Sequence, residues 1–296
     1  MKLLPSFRVL LFVACAPLGA ITIQNTSTPG YATGNSVYTG VASIIGNYTA
    51  GGSFSCTGAL ISSTVILTAG HCVAPANSWN VTFQTGSGTT TIAVASSQVH
   101  DGYQSRPSPN SGISQYDIAI LRLATSAPVG TAIYGITDGS TAPTFGDITG
   151  SLVDMVGYGI GGNPSGGLAS GTRRYAQNRL DGFLPGQVDN PLLTSQDFSS
   201  ALEPGGYGIV GAGDSGGPMF LNNIIIGVAS ASTIPSTGGS GTYTNGTYYG
   251  LHTSLFDTVT RDWTNAAFGV MATPEPSTYL LFGSGLAALA FFRRRR

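Results

Sequence analysis

Short apolar runs recur along the chain at strand length: Ser43–Ile45, Gly58–Ile61, Val65–Leu67, Val81–Phe83, Ile92–Val94, Ile118–Leu121, Val153–Val156 and Ile224–Val228. Each is bounded by Gly, Ser, Thr, Asn or Pro, so the pattern predicts β-strands closed by turns. Stretches rich in Gly and Ser at 159–171 and 231–247 read as long loops. Only Thr253–Phe268, with Leu255, Phe256, Val259 and Trp263 at helix-like spacing, predicts a helix of any length. The pattern is that of an all-β chain with one helix near its C-terminal end, and it contains no internal repeat.

Both ends depart from it. Met1–Ala20 starts with Lys2 and Arg8, continues through the apolar run Val9–Ala14 and reaches Gly19-Ala20. That order predicts a secretory signal peptide, cut after Ala20. At the other end the apolar run Tyr279–Phe292 stands between Pro274-Glu275-Pro276 and four terminal arginines, Arg293–Arg296. Fourteen residues at about 1.5 Å each fall short of the ~30 Å hydrocarbon core, which taken alone suggests a buried helix. Four arginines cannot be buried, but they suit the cytoplasmic face of a membrane. Pro-Glu-Pro, apolar run and arginine cluster, in that order, resemble the PEP-CTERM sorting signal of Gram-negative bacteria. The resemblance implies a transient inner-membrane anchor, removed by an exosortase-like peptidase during export to the cell surface or extracellular matrix. The expected organisation is a signal peptide over 1–20, a folded domain over 21–271 and a sorting tail over 272–296.

Composition narrows the picture further. Charged residues make up 8% of the chain and hydrophobic ones 42%, which excludes a disordered polyelectrolyte and supplies a sizeable core. Gly (43) and Pro (16) make up about one residue in five of 296, turn-rich but short of low complexity. Between residues 21 and 271 stand six arginines and no lysine against eleven Asp and one Glu, a net charge of −6. An acidic, soluble domain is expected, with no nucleic-acid partner. At this length one unit of two packed β-layers or barrels is expected.

Three segments carry chemistry. Leu67-Thr68-Ala69-Gly70-His71-Cys72 takes a strand into a short turn, Tyr116-Asp117 opens an apolar strand with a carboxylate, and Gly213-Asp214-Ser215-Gly216-Gly217-Pro218 presents a serine on a tight glycine turn. Singly, each has an ordinary structural explanation; in the order His, Asp, Ser they resemble the motifs of the chymotrypsin-like, trypsin-family serine proteases. The resemblance covers nearly all of residues 40–268 and includes Cys56-Thr57-Gly58-Ala59-Leu60-Ile61, Val156-Gly157-Tyr158-Gly159 and Ile226-Gly227-Val228-Ala229-Ser230. It implies two packed antiparallel β-barrels with a C-terminal helix, and a secreted, monomeric endopeptidase acting on protein or peptide substrates.

The resemblance also implies roles. Ser215 is the nucleophile, His71 its general base and Asp117 the group that fixes the imidazole tautomer. The N–H groups of Gly213 and Ser215 form the oxyanion hole, where losing one donor costs about 3 kcal/mol. No metal or organic cofactor is required. Cys56 and Cys72 occupy the positions of a family disulfide, which an oxidising compartment allows. His100 has no role in the chemistry. The specificity pocket comprises Ile209 at its base, Ser230, Ala231 and Ser232 on its wall and His252 near its floor. An apolar Ile209 disfavours Lys and Arg, because their charge would be buried unpaired; small or medium apolar side chains are expected, and a protonated His252 would favour acidic ones instead. Asp214 is the family's partner for a freed N-terminal amine, here expected to be that of Ile21 after signal peptidase acts. An inactive binding module on the same fold and a structural matrix protein are the competing readings, and neither needs the triad, oxyanion glycine and Asp214 that stand here together.

Overall fold

The computed structural model describes residues 22–23, 37–103, 114, 116–137, 148–163, 166–168, 170–183, 192–195, 208–232 and 250–272. The expected signal peptide and nearly all of the sorting tail lie outside these residues, as does Ile21. Among the described residues no helix is long and apolar enough to cross a membrane.

Six strands close the first barrel in the order β2-β3-β4-β7-β6-β5: β2 (Val41–Asn47), β3 (Ser53–Ser62), β4 (Val65–Thr68), β5 (Ser78–Thr85), β6 (Gly88–Val99) and β7 (Ala119–Leu123). Its interior is apolar: Ile44, Leu60, Ile66, Phe83, Ile120 and Leu121 are buried together. The second sheet runs β15-β9-β12-β13-β17-β16-β8. Its strands are β8 (Gly135–Ile136), β9 (Leu152–Gly157), β12 (Arg174–Phe183), β13 (Leu192–Ser195), β15 (Pro218–Leu221), β16 (Ile224–Ser232) and β17 (Gly250–Ser254). Because β15 also pairs with β16, six of these antiparallel strands return on themselves, and β8 attaches parallel to the outer side of β16. A small third sheet joins β1 (Thr22–Ile23), β10 (Gly161–Asn163), β11 (Gly166–Leu168) and β14 (Gly208–Ile209). The expected fold, mostly strands in two packed units with a C-terminal helix, is the one observed.

Two expectations need correction. The 159–171 stretch is not simply a loop, since β10 and β11 form a hairpin within it. Thr253 and Ser254 belong to β17, and helix α1 spans Thr258–Ala272. Asp257 sets the start: its Oδ2 accepts the Thr260 N–H at 2.8 Å and the Thr260 hydroxyl at 2.8 Å, an N-cap that satisfies an otherwise orphaned donor. The apolar spacing of Leu255 and Phe256 comes from burial at the strand end, not from a helical face.

The barrels are tied together by polar as well as apolar contacts. Tyr38 stacks on Phe220 at 5.3 Å and donates its hydroxyl to Asp154 Oδ2 of β9 at 2.6 Å. Burial, and then the Asp154 carboxylate, push that phenol far above its usual range. Arg173 reaches back to the Gln84 carbonyl at 2.8 Å. The site described next lies where the two barrels meet.

Candidate active site

His71 sits in a 3-10 turn, Gly70–Cys72, that leaves β4 through Ala69. Cys72 is bonded to Cys56 of β3 with a Cα–Cα distance of 6.2 Å, so the turn is covalently fastened to the barrel wall, as the resemblance implied. Trp79 Nε1 donates to the Cys72 carbonyl at 3.1 Å and braces the turn's far side. Gly70 is required locally: a Cβ there would meet the Tyr103 ring at 2.9 Å and Asp117 Oδ1 at 3.2 Å.

Asp117 is fully buried just before β7. Its neighbour Tyr116 takes φ 45, a left-handed conformation that turns the chain so that the carboxylate faces the His71 turn. Oδ1 accepts the backbone N–H of His71 at 2.8 Å, and Oδ2 lies 2.7 Å from His71 Nδ1. Oδ2 also accepts the Ser230 hydroxyl at 2.5 Å, and the Asp117 carbonyl accepts the Thr253 hydroxyl at 3.1 Å. A carboxylate with both oxygens engaged can neither rotate nor drift. It holds the imidazole proton on Nδ1 and leaves Nε2 as the basic nitrogen.

Ser215 stands half-buried on the turn between β14 and β15. The turn is pinned to the first barrel by Thr57: its N–H donates to the Ser215 carbonyl at 2.7 Å and its hydroxyl to the Gly213 carbonyl at 2.9 Å. Gly216 has φ 81, and a Cβ there would collide with Thr68 Oγ1 and the Thr57 carbonyl, so only glycine lets the turn approach β3 and β4 this closely. Cys72 Sγ lies 3.5 Å from the Ser215 carbonyl, a contact rather than a hydrogen bond because the sulfur is in a disulfide. The ligand-type atoms of His71, Cys56 and Cys72 lie within 4.8 Å of one another. The imidazole and the Ser215 backbone therefore flank the same disulfide. These three residues have metal-ligand spacing, but two oxidised cysteines offer no thiolate to an ion.

Asp214 is fully buried, its Oδ1 accepting the Gly159 N–H and its Oδ2 the Gly211 N–H, both at 2.8 Å. Ile209, in β14, is also fully buried and pairs with Thr22. Ser230 occupies a bulge in β16, between the pairs Ala229↔His252 and Ala231↔Leu251. The bulge aims its hydroxyl at Asp117, which gives it a role in the carboxylate's setting that sequence reasoning missed. Ala231 is half-buried, Ser232 pairs with Gly250, and His252 is fully buried in β17. Thr57 and Thr253 were missed as well; for Thr57 the only signal was its place in the Cys56-Thr57-Gly58 match. His100 lies apart, stacked on Tyr116 at 4.6 Å and tilted against Trp263 of α1 at 4.9 Å. Burial lowers its pKa.

The chain is similar to trypsins in sequence and to trypsin-like structures in fold. Trypsin iota of Drosophila melanogaster is 29% identical over 189 residues, 59% of this chain and 67% of the relative. Trypsin delta of Drosophila erecta is 26% identical over 193 residues, 60% and 69% of the two chains. Among solved structures, HL collagenase superposes with a TM-score of 0.57 at 20% identity, covering 82% of this chain and 98% of that one. Human heparin binding protein gives 0.56 at 18%, covering 83% and 98%. The PEP-CTERM protein-sorting motif matches residues 272–296. The Trypsin family model matches residues 31–250, and with His71, Asp117 and Ser215 drawn to one seam between two barrels, the chain belongs to the trypsin family.

Proposed function

We propose that this protein is an exported serine endopeptidase that cleaves peptide bonds through Ser215, His71 and Asp117. The observation that carries the reading is the Asp117 carboxylate, fully buried and bonded to both His71 nitrogen groups that face it. A buried carboxylate that orients an imidazole is costly to maintain and of use when that imidazole must accept and return a proton. His71 removes the Ser215 proton as the hydroxyl attacks the substrate carbonyl, forming a tetrahedral adduct. It then protonates the leaving amine, and an acyl-enzyme remains. Water, deprotonated by His71, attacks the ester, and the imidazolium returns that proton to Ser215 Oγ as the acid leaves. The N–H groups of Gly213 and Ser215 have no acceptor among the described residues, which suits donors reserved for the oxyanion of the adduct.

In the specificity pocket a buried Ile209 favours small or medium apolar side chains before the scissile bond over Lys and Arg. Ser230, Ala231 and Ser232 line its wall and His252 its floor. Signal peptidase, cutting after Ala20, exposes the amine of Ile21, and the pairing Thr22↔Ile209 supports a path that brings that amine toward Asp214. Residues 21–271 then make up the secreted, monomeric enzyme. The sorting tail directs it through the inner membrane of a Gram-negative cell to an exosortase-like peptidase, and so to the surface or matrix.

A fluorophosphonate probe tests the central claim: it should label the wild type covalently at Ser215 and leave Ser215→Ala unlabelled. Absence of labelling in folded wild type would leave a binding module instead. A peptide library then ranks the pocket, where a preference for Glu or Asp that disappears in His252→Ala would put His252 above Ile209.

A further inference from the structure

His100 lies outside the proposed chemistry, yet its turn touches both of the residues that precede the pair His71 and Asp117. Its buried ring is parallel to that of Tyr116 at 4.6 Å and tilted against Trp263 of α1 at 4.9 Å. Its backbone is held on both sides: the His100 N–H donates to the Ile118 carbonyl at 3.1 Å, and its carbonyl accepts the Tyr103 N–H at 2.9 Å. Nδ1 accepts the Gly102 N–H at 3.0 Å, so the neutral imidazole carries its proton on Nε2.

The 100–103 turn packs in two directions. Gly102 lies so close to Tyr116 that a Cβ on it would meet that ring at 2.9 Å, and Tyr116, at φ 45, sets the direction of Asp117. The Tyr103 ring covers Gly70, where a Cβ would meet it at 2.9 Å, and Gly70 opens the 3-10 turn of His71. One short turn therefore braces the backbone on which each member of the pair is mounted, Asp117 through Tyr116 and His71 through Tyr103.

A second proton can enter the His100 imidazole only at Nδ1, where an acceptor of the Gly102 N–H becomes a donor facing a donor. Burial, the largest influence on the ring, lowers its pKa from 6.5, against the Asp101 carboxylate on the turn, the Asp257 carboxylate at the cap of α1 and the Val259 carbonyl, which raise it. Of the other charged groups on the elements packed around it, Asp117 is bonded to His71 and Ser230. Arg261 and Asp262 of α1 pair with each other at 3.5 Å, and Arg122 stands farther along β7, opposite Ser96.

We propose that His100 is a positioning residue whose neutral form clamps the His71–Asp117 pair, and that a proton on its Nδ1 releases the 100–103 turn and with it the pair. The inference rests on the reading of His71 and Asp117 as the proton-transfer groups, and it adds a second protonation to the acid loss that His71 itself brings. Since burial favours the neutral ring, the clamp is closed at and above pH 6.5 and opens as pH falls below that value.

The test measures the second-order rate of fluorophosphonate labelling from pH 8 to pH 4, over the range where near-UV circular dichroism shows each protein folded. Titration of His71 alone lowers the rate roughly tenfold per pH unit on the acid side; with His100 titrating as well, the fall should steepen toward roughly a hundredfold per unit. His100→Asn keeps an acceptor near the Nδ1 position and takes up no proton, so it should label within about fivefold of wild type at pH 8 and fall only about tenfold per unit throughout. His100→Phe keeps the stacked ring and loses the acceptor, and should label about 10- to 100-fold more slowly at pH 8, the scale of a small misplacement of reacting groups. A tenfold-per-unit fall in wild type, a steepened one in His100→Asn, or a wild-type rate in His100→Phe at pH 8 would each overturn the proposal. If His100→Phe does not fold, the comparison of wild type with His100→Asn decides. Solvent exchange of the His71 Nδ1 proton, followed by NMR, reads the clamp without catalysis: it should quicken below pH 6.5 in wild type and not in His100→Asn. If wild type labels at no pH, the protease reading fails and this exchange alone judges the clamp, equal exchange in the two proteins overturning it.

Discussion

Inside the first barrel Ile44, Leu60, Ile66, Phe83, Ile120 and Leu121 belong to one buried apolar cluster. Inside the second, Met155, Leu180 and Met219 share the interior with Arg174, Asn178 and His252, and Asp214 closes its end. The two barrels also contribute differently to the site. The first supplies His71 and Asp117 from turns fastened by a disulfide and by strand pairing. The second supplies Ser215 from a glycine-rich turn whose shape depends on a buried carboxylate and its hydrogen bonds. An apolar interior fixes a wall; a polar interior fixes the conformation of a loop that leaves the wall. Here the second task falls to the barrel that bears Ser215, the proposed nucleophile.

The sharpest way to break this comparison is to remove the chemistry from each side. Ser215→Ala, on the second barrel, should lower kcat on the order of 10⁶-fold with an unchanged Tm. His71→Ala, on the first, should do the same, and the double variant should be no worse, since the residues act as a unit. Asp117→Asn should cost about 10⁴-fold in kcat by presenting the wrong tautomer to Ser215. Additive losses in steady-state kinetics would show that the two barrels do not share one site.

Stability separates the interiors next. Ile120→Ala in the first barrel should cost about 2–5 kcal/mol in denaturant unfolding, the usual loss for a buried aliphatic. Asn178→Leu in the second should also destabilise, by about 1–3 kcal/mol, although it adds apolar surface, because Asn178 Nδ2 donates to the buried Gly208 carbonyl at 2.7 Å and that acceptor would be left unpaired. A stabilised Asn178→Leu would remove the distinction between the barrels.

The smallest expected effect is one of pH. His100 is buried between Tyr116 and Trp263, and burial lowers its pKa from the ordinary 6.5. The folded protein therefore binds a proton less readily than the unfolded chain, so stability is complete above that ordinary value and declines as pH falls below it. His100→Phe should flatten the decline of Tm between pH 7 and pH 5 by a measurable margin. An unchanged slope would show that other groups govern it.

The same contrast explains how much was legible beforehand. Every apolar run of the first barrel became a strand, from Ser43–Ile45 in β2 to Ile118–Leu121 at β7, because its inward positions are apolar and hydropathy sees them. β12 escaped notice: its inward set is Arg174, Ala176, Asn178 and Leu180, half of it polar, so burial alternates along the strand while hydropathy does not. β17 was drawn into the helix for a related reason, since Thr253 and Ser254 are fully buried without being apolar.

What the sequence determined by itself was the list of chemical groups and their order: a histidine turn, an aspartate opening a strand and a serine among glycines, enough to imply family, fold and disulfide. Those are local features, each written in a few adjacent residues. The tertiary structure decided which groups touch. The Ser230 hydroxyl reaches Asp117 across 113 positions, Thr57 holds Gly213 across 156, and Arg174 faces Gly157 through strand register. Contacts at such separations follow from barrel closure and from bulges that turn a side chain to a particular face, and neither is encoded in the character of a single segment.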